Sequence, residues 1–347
     1  MTNVAPAAAT GIGSLPGTDS QEWSRTIAGE LPDFPHIPEL PARGPGADLI
    51  GRTMALLADV APDLAVETTP VGWRLADAPG RVMSRARSWL AEDLDGVEQA
   101  LAGRRGPLKA QLAGPWTLAA AVETRGGERA VRDHGACRDI AEALAEAAAA
   151  HVREIQRRLP GAAVVLQLDE PSLPSVLAGG VTTASGLATY RAVDPARAQS
   201  HLAWVIDAAA GQGALPGVHC CHPRTPIDLL RRAGARMLSV DPQMLDAAQE
   251  EPLGSALESD VLILLGYAPS LPVPVPDAQV LGERMAAVVL TQYSRWGIPA
   301  ESANAHVALT PSCGLAGADP AWARLVYAAL GVAGRLVRDD APVEEQS

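Results

Sequence analysis

Short apolar runs alternate along the chain with longer stretches in which Ala, Leu, Glu and Arg recur at helical spacing. Continuous apolar runs of strand length predict strands buried on both faces, and their alternation with helices predicts a parallel α/β protein. Strands are expected near 10–14 (TGIGS), 34–40 (FPHIPEL), 64–68 (LAVET), 107–113 (PLKAQLA) and 162–169 (AAVVLQLD). Others are expected near 215–221 (LPGVHCC), 235–241 (ARMLSVD), 260–267 (DVLILLGY) and 306–312 (HVALTPS). The spacing predicts helices over 127–159, 195–211 and 277–296. Nine strands are one too many for an eight-stranded barrel. A Pro/Gly-rich stretch precedes 64–68, which assigns that run to a hairpin-like excursion after the second strand. The rest suit a (β/α)8 TIM barrel, a single domain over 1–338 followed by a frayed tail over 339–347. The Pro-rich APSLPVPVPD (268–277) follows a strand and precedes a helix, so it is expected as a loop on the active face. A doubly wound sheet fits less well, because GIGSLPG lacks the third glycine and the helix start of a dinucleotide fingerprint.

Composition narrows the function. With 347 residues, 48% hydrophobic and 20% charged, the chain can bury a large core. Its 28 basic and 40 acidic residues leave a net charge of −12, and the arginines are scattered. No basic stripe is available for a nucleic acid. No apolar run approaches the roughly 18 residues of a membrane span. The first residues lack the basic-then-apolar order of a secretory signal, so a cytoplasmic location is expected. In that reducing setting the four cysteines are expected as free thiols or metal ligands. The single lysine, Lys109, accompanies an Ala-, Gly-, Pro- and Arg-rich composition that carries no functional weight by itself.

Several strand-like runs end in residues that bear chemistry: Ser14, Glu39, Asp169, His219 with Cys221, Asp241 and Cys313. In a barrel such ends converge on one pocket. In VHCCHP (218–223), alternation puts His219 and Cys221 on one face and Cys220 on the other. One imidazole and two thiolates, with Cys313, suit a zinc that keeps its fourth position open, and Asp241 offers an oxygen from the intervening strand. His222 is an alternative ligand, and buried structural thiols or a vicinal disulfide are the plainer alternatives. Asp169 ends an otherwise apolar strand, where a lone charge is costly. It is expected to bind a cationic group at the mouth or, failing that, to cap the next helix or pair with a nearby Arg. Glu39 follows the same logic, with Arg43 as a simple ion-pair partner. Ser14 serves either a carboxylate or its own turn.

In order, IGSLP (12–16), LAGP (112–115), QLDEP (167–171), HCC (219–221) and PSCGL (311–315) resemble the C-terminal catalytic domain of cobalamin-independent methionine synthase. That family's barrel is similar to the uroporphyrinogen decarboxylase barrel. The resemblance implies zinc held by His219, Cys221 and Cys313, with an acidic fourth ligand for which this chain offers Asp241 in place of the usual Glu. It implies that Glu39 and Asp169 hold the ammonium of homocysteine, and that Ser14 and the backbone at Ile12 meet its carboxylate. It implies methyl transfer to the homocysteine thiol, giving methionine. Two departures bear on the donor. Full-length members carry a second, N-terminal barrel that has no room here. The family's Asp-x-His-Ser stretch is replaced by LLGYAPS (264–270), which has neither Asp nor His. The donor is therefore expected to be either a methyl-corrinoid protein or 5-methyltetrahydrofolate. A methyltransferase for another small thiol and a non-catalytic zinc-binding paralogue are the competing readings, with a decarboxylase on the same barrel ranked below them.

Overall fold

The computed structural model describes residues 4–339. Seven strands form one curled parallel sheet in the order β1-β10-β9-β8-β7-β6-β4. They are β1 (Ala8–Ala9), β4 (Gly106–Ala113), β6 (Ala162–Asp169), β7 (Leu215–His219), β8 (Met237–Val240), β9 (Leu262–Ala268) and β10 (Val307–Pro311). The other strands, β2 (Val66–Thr69), β3 (Gly72–Leu75) and β5 (Val122–Glu123), make a small separate sheet. β2 and β3 pair antiparallel, which is the hairpin excursion expected at 64–68.

The barrel-like α/β class stands, but the ladder does not close. Between the edge strands β1 and β4, the expected second strand makes only isolated parallel bridges, His36 to Lys109 and Glu39 to Ser14. Pro35 and Pro38 explain this, because neither has an N–H to donate and a continuous ladder needs both. The first strand falls at Ala8–Ala9, ahead of the expected 10–14, which run on as loop apart from the bridge at Ser14. The helix His134–Arg158 begins later than the pattern suggested, where the Asp133 side chain accepts the N–H groups of Gly135 and Ala136. The helices Pro195–Ala210 and Ala278–Trp296 match expectation. The last helix ends at Asp339, and the remainder of the expected tail, 340–347, lies outside the described residues.

Two apolar clusters hold the fold. The large one fills the space between sheet and helices. The small one, Ala8, Phe34, Val165, Met237, Leu262, Leu264 and Ala308, comes from inward-facing positions. Strand alternation then sets what lies beyond it. Val165 is followed on the same face by Gln167 and Asp169, Met237 by Ser239, and Gly217 by His219. Each inward file thus runs from an apolar plug to polar groups at the C-terminal strand ends, where barrel chemistry is placed.

Candidate functional site

β7 carries His219 at its last residue, and the chain turns straight into Cys221. β10 stops at Pro311, two residues before Cys313. The ligand atoms of His219, Cys221 and Cys313 all lie within 4.8 Å of one another. The two sulfurs are 3.5 Å apart. His219 is buried, with Nδ1 3.0 Å from Ser239 Oγ and Nε2 without a hydrogen-bond partner. A buried polar atom left unsatisfied costs about 1–3 kcal/mol, so this nitrogen favours any acceptor of its lone pair. Contact with Cys221, then the nearby imidazole, pulls the Cys313 thiol down to about 4. The same contact, with burial, pushes Cys221 up. One nitrogen and two sulfurs, one of them favoured as thiolate, form a soft donor set of the zinc type. Cys313 is solvent-exposed, so the group is open on one side.

Other candidates fall outside this group. Asp241 is close enough to feel Cys313 and His219 but is not among the clustered ligand atoms. Its Oδ1 accepts the Gln243 N–H at 2.9 Å, which starts the following turn. His222 Nδ1 likewise accepts the Arg224 N–H at 3.0 Å. Cys220 is fully buried on the opposite face, its thiol pushed up to about 12 by burial, and all four cysteines are free.

The second half of the pocket is built around Ile12, Asp169 and Glu39. Gln167 Nε2 donates to Asp169 Oδ1 at 2.7 Å and to the Ile12 carbonyl at 3.0 Å. Burial pushes the Asp169 carboxyl up to about 7, with Glu39 adding to the rise and His219, Lys109 and Gln167 opposing it. Glu39 is raised by burial too, against the pull of Arg52 and Lys109. Its ion-pair partner is Arg52, 3.6 Å away, and not Arg43, which binds Asp93 at 2.9 Å. Ser14 bridges Glu39, and its carbonyl accepts the Leu315 N–H at 2.8 Å. A Cβ at Gly314 would lie 2.0 Å from Ser14 Oγ, so the glycine after Cys313 is what lets the two loops meet.

Two residues escaped the sequence reading. Lys109 is wholly buried, and its Nζ donates to the Ile12 carbonyl at 2.6 Å and to Gln111 Oε1 at 3.2 Å. Burial holds it down to about 8, while Asp169 and Glu39 draw it back up. Its being the only lysine was the available signal. Glu170, the acid of QLDEP beside Asp169, is fully buried and accepts the Trp116 N–H, the Thr117 N–H and the Thr117 hydroxyl at 2.8–2.9 Å. It caps the helix Pro115–Ala121. A Cβ at Gly114 would fall 2.3 Å from Glu170 Oε1, which links LAGP to QLDEP through one carboxylate.

The sequence profile of the cobalamin-independent synthase catalytic domain matches residues 7–333. No protein of curated function matches the chain. Among solved structures, a B12-independent methionine synthase from Shewanella sp. W3-18-1, in complex with selenomethionine, is similar with a TM-score of 0.58 at 12% identity. The match covers 97% of this chain and 99% of that one, and shows a shared fold. D-psicose 3-epimerase from Clostridium cellulolyticum H10 is similar at a TM-score of 0.45 and 10% identity, over 95% of this chain and 98% of that one. A likeness that low bears on nothing below. The family's independence of cobalamin runs against the methyl-corrinoid protein expected as donor partner, and that expectation is withdrawn. Among the described residues no helix is long and apolar enough to cross a membrane. By the match over 7–333, the chain belongs to the cobalamin-independent synthase catalytic-domain family.

Proposed function

We propose that this chain binds zinc through His219, Cys221 and Cys313 and transfers a methyl group to the thiol of homocysteine, forming methionine. The observation that carries the reading is the three-ligand group, with its buried, unpartnered His219 Nε2 and its exposed Cys313. Zinc held there supplies the Lewis acidity that keeps a coordinated thiol, ordinarily of pKa about 8.5, as a thiolate at neutral pH. Three protein ligands, one of them solvent-exposed, would leave such a centre accessible to a substrate thiol.

The chain's own residues orient the amino acid. Asp169, ionised, and Glu39 take the ammonium. The N–H groups of Ile12, Gly13 and Ser14 make no hydrogen bond among the described residues, and they are the donors for the carboxylate. Leu315 N–H ties Ser14 to the loop of Cys313, so both ends of the substrate are gripped from connected loops. The donor in this reading is 5-methyltetrahydrofolate: its N–CH3 bond breaks, an S–CH3 bond forms, the thiol proton leaves to solvent, and the donor nitrogen gains one. β9 supplies no acid for that last step, since the Tyr267 hydroxyl donates to Gln292 Oε1 at 3.2 Å.

Zinc-loaded protein given homocysteine and 5-methyltetrahydrofolate, as mono- and triglutamate, is expected to form methionine, and Cys313→Ala to form none. Methylation of 2-mercaptoethanesulfonate with none of homocysteine would move the substrate to another thiol. Zinc whose removal unfolds the chain, with no thiol binding, would make the centre structural.

A further inference from the structure

Lys109 has no part in the scheme above, yet it is the chain's single lysine and is wholly buried inside the barrel. An ammonium taken from water costs several kcal/mol unless it is compensated. Asp169 and Glu39 offset some of that cost through space, but neither lies within 4.0 Å of Nζ as an ion pair. The direct partners are Gln111 Oε1 and, at 2.6 Å, the carbonyl of Ile12. A charge-assisted bond this short fixes the carbonyl's direction.

That direction has a consequence for the next N–H. Lys109 pairs in register with Val165, four residues before Asp169 on the same inward file, and its Nζ reaches across to Ile12. Gln167 Nε2 donates to the same oxygen at 3.0 Å. The peptide is planar and trans, so the N–H of Gly13 points opposite to the Ile12 carbonyl. It is directed away from Lys109 and has no acceptor among the described residues.

We propose that Lys109 is a positioning residue for the α-carboxylate of an amino-acid thiol. Through the Ile12–Gly13 peptide it aims the Gly13 N–H at that carboxylate, and it places a positive charge behind it. The substrate class rests on the homocysteine reading. The chemistry singles out a thiol that also carries a carboxylate, and it separates that group from the ammonium held by Asp169 and Glu39.

The test compares homocysteine with 3-mercaptopropylamine, the same molecule without its carboxylate, for binding to the zinc-loaded protein by calorimetry. In Lys109→Met, homocysteine is expected to bind about 10- to 100-fold more weakly, the range of one hydrogen bond to a charged group. Binding of 3-mercaptopropylamine is expected to stay level or tighten, and zinc content to stay unchanged. Equal weakening of both thiols would reduce Lys109 to a structural part and overturn the proposal, as would no weakening of either. Should Lys109→Met fail to fold, Lys109→Gln keeps a donor for Ile12 and removes only the charge. It should weaken homocysteine alone, by about threefold or more, and a loss shared by both thiols would again refute the idea. A wild-type protein that binds neither thiol would overturn the homocysteine reading itself, a result no Lys109 variant can mimic.

Discussion

At the β7–β10 end of the pocket, His219 Nε2 is buried without a partner and two sulfurs stand 3.5 Å apart. At the β4–β6 end the charges are already offset: Asp169 accepts from Gln167, Glu39 faces Arg52, and Lys109 lies beneath both. The first end is a soft donor set with a buried nitrogen that has no hydrogen-bond partner. The second is a nearly satisfied network, preorganised before any ligand arrives, and an incoming ammonium must share what is already used. Under the proposed function, strength of binding would therefore belong to the His219–Cys313 end, and choice of substrate to the Asp169–Glu39 end.

The comparison breaks first at the metal ligands. Cys221→Ala or His219→Ala should lower zinc affinity by well over about 100-fold, more than the loss usual for outer groups, and abolish methyl transfer. Metal analysis after dialysis reads this directly. Asp169→Asn should keep zinc stoichiometric while weakening homocysteine by about 10- to 100-fold, a charged hydrogen bond's worth. This substitution also has a pH signature. Burial pushes the Asp169 carboxyl up to about 7, so below that pH it must lose a proton before it can hold an ammonium. Homocysteine affinity should therefore rise with pH more steeply below about 7 than above it, and Asn at this position should remove the extra steepness.

Ser239→Ala leaves His219 Nδ1 without its partner. A loss of about tenfold in zinc affinity is expected, the lower end for a group that orients a metal-binding histidine. Asp241→Asn should have the smallest effect, with zinc retained and affinity changed by no more than about tenfold, because Asp241 stands outside the three-ligand group and caps its own turn. If Asp241→Asn emptied the site instead, the three-ligand account would give way to a four-ligand one.

The two ends also differ in how far they could be read from sequence. The alternation expected over 215–221 separates Cys221 from Cys220, although β7 itself ends at His219, and the ends of β7 and β10 explain why His219 and Cys313 meet. Periodicity also located β6 to the residue, and the Pro/Gly-rich stretch before 64–68 pointed to the hairpin at β2 and β3. The polar end was hidden because its partners are distant in sequence. Lys109 finds its acceptor at Ile12, 97 positions away, and Glu39 meets Arg52 from a neighbouring helix. Glu170 drew no reading from sequence, and because neighbouring strand positions face opposite sides it serves a helix end while Asp169 faces inward. The second strand failed as a ladder for a local reason that was in plain view, the prolines at 35 and 38.

The central claim is that this site activates a thiol, and proton release tests it most directly. Homocysteine should be titrated into zinc-loaded protein at about pH 7.5, where its free thiol is mostly protonated. The account predicts release of close to one proton per homocysteine bound, lost in the Cys221→Ala protein. Stoichiometric binding with no proton released would contradict it.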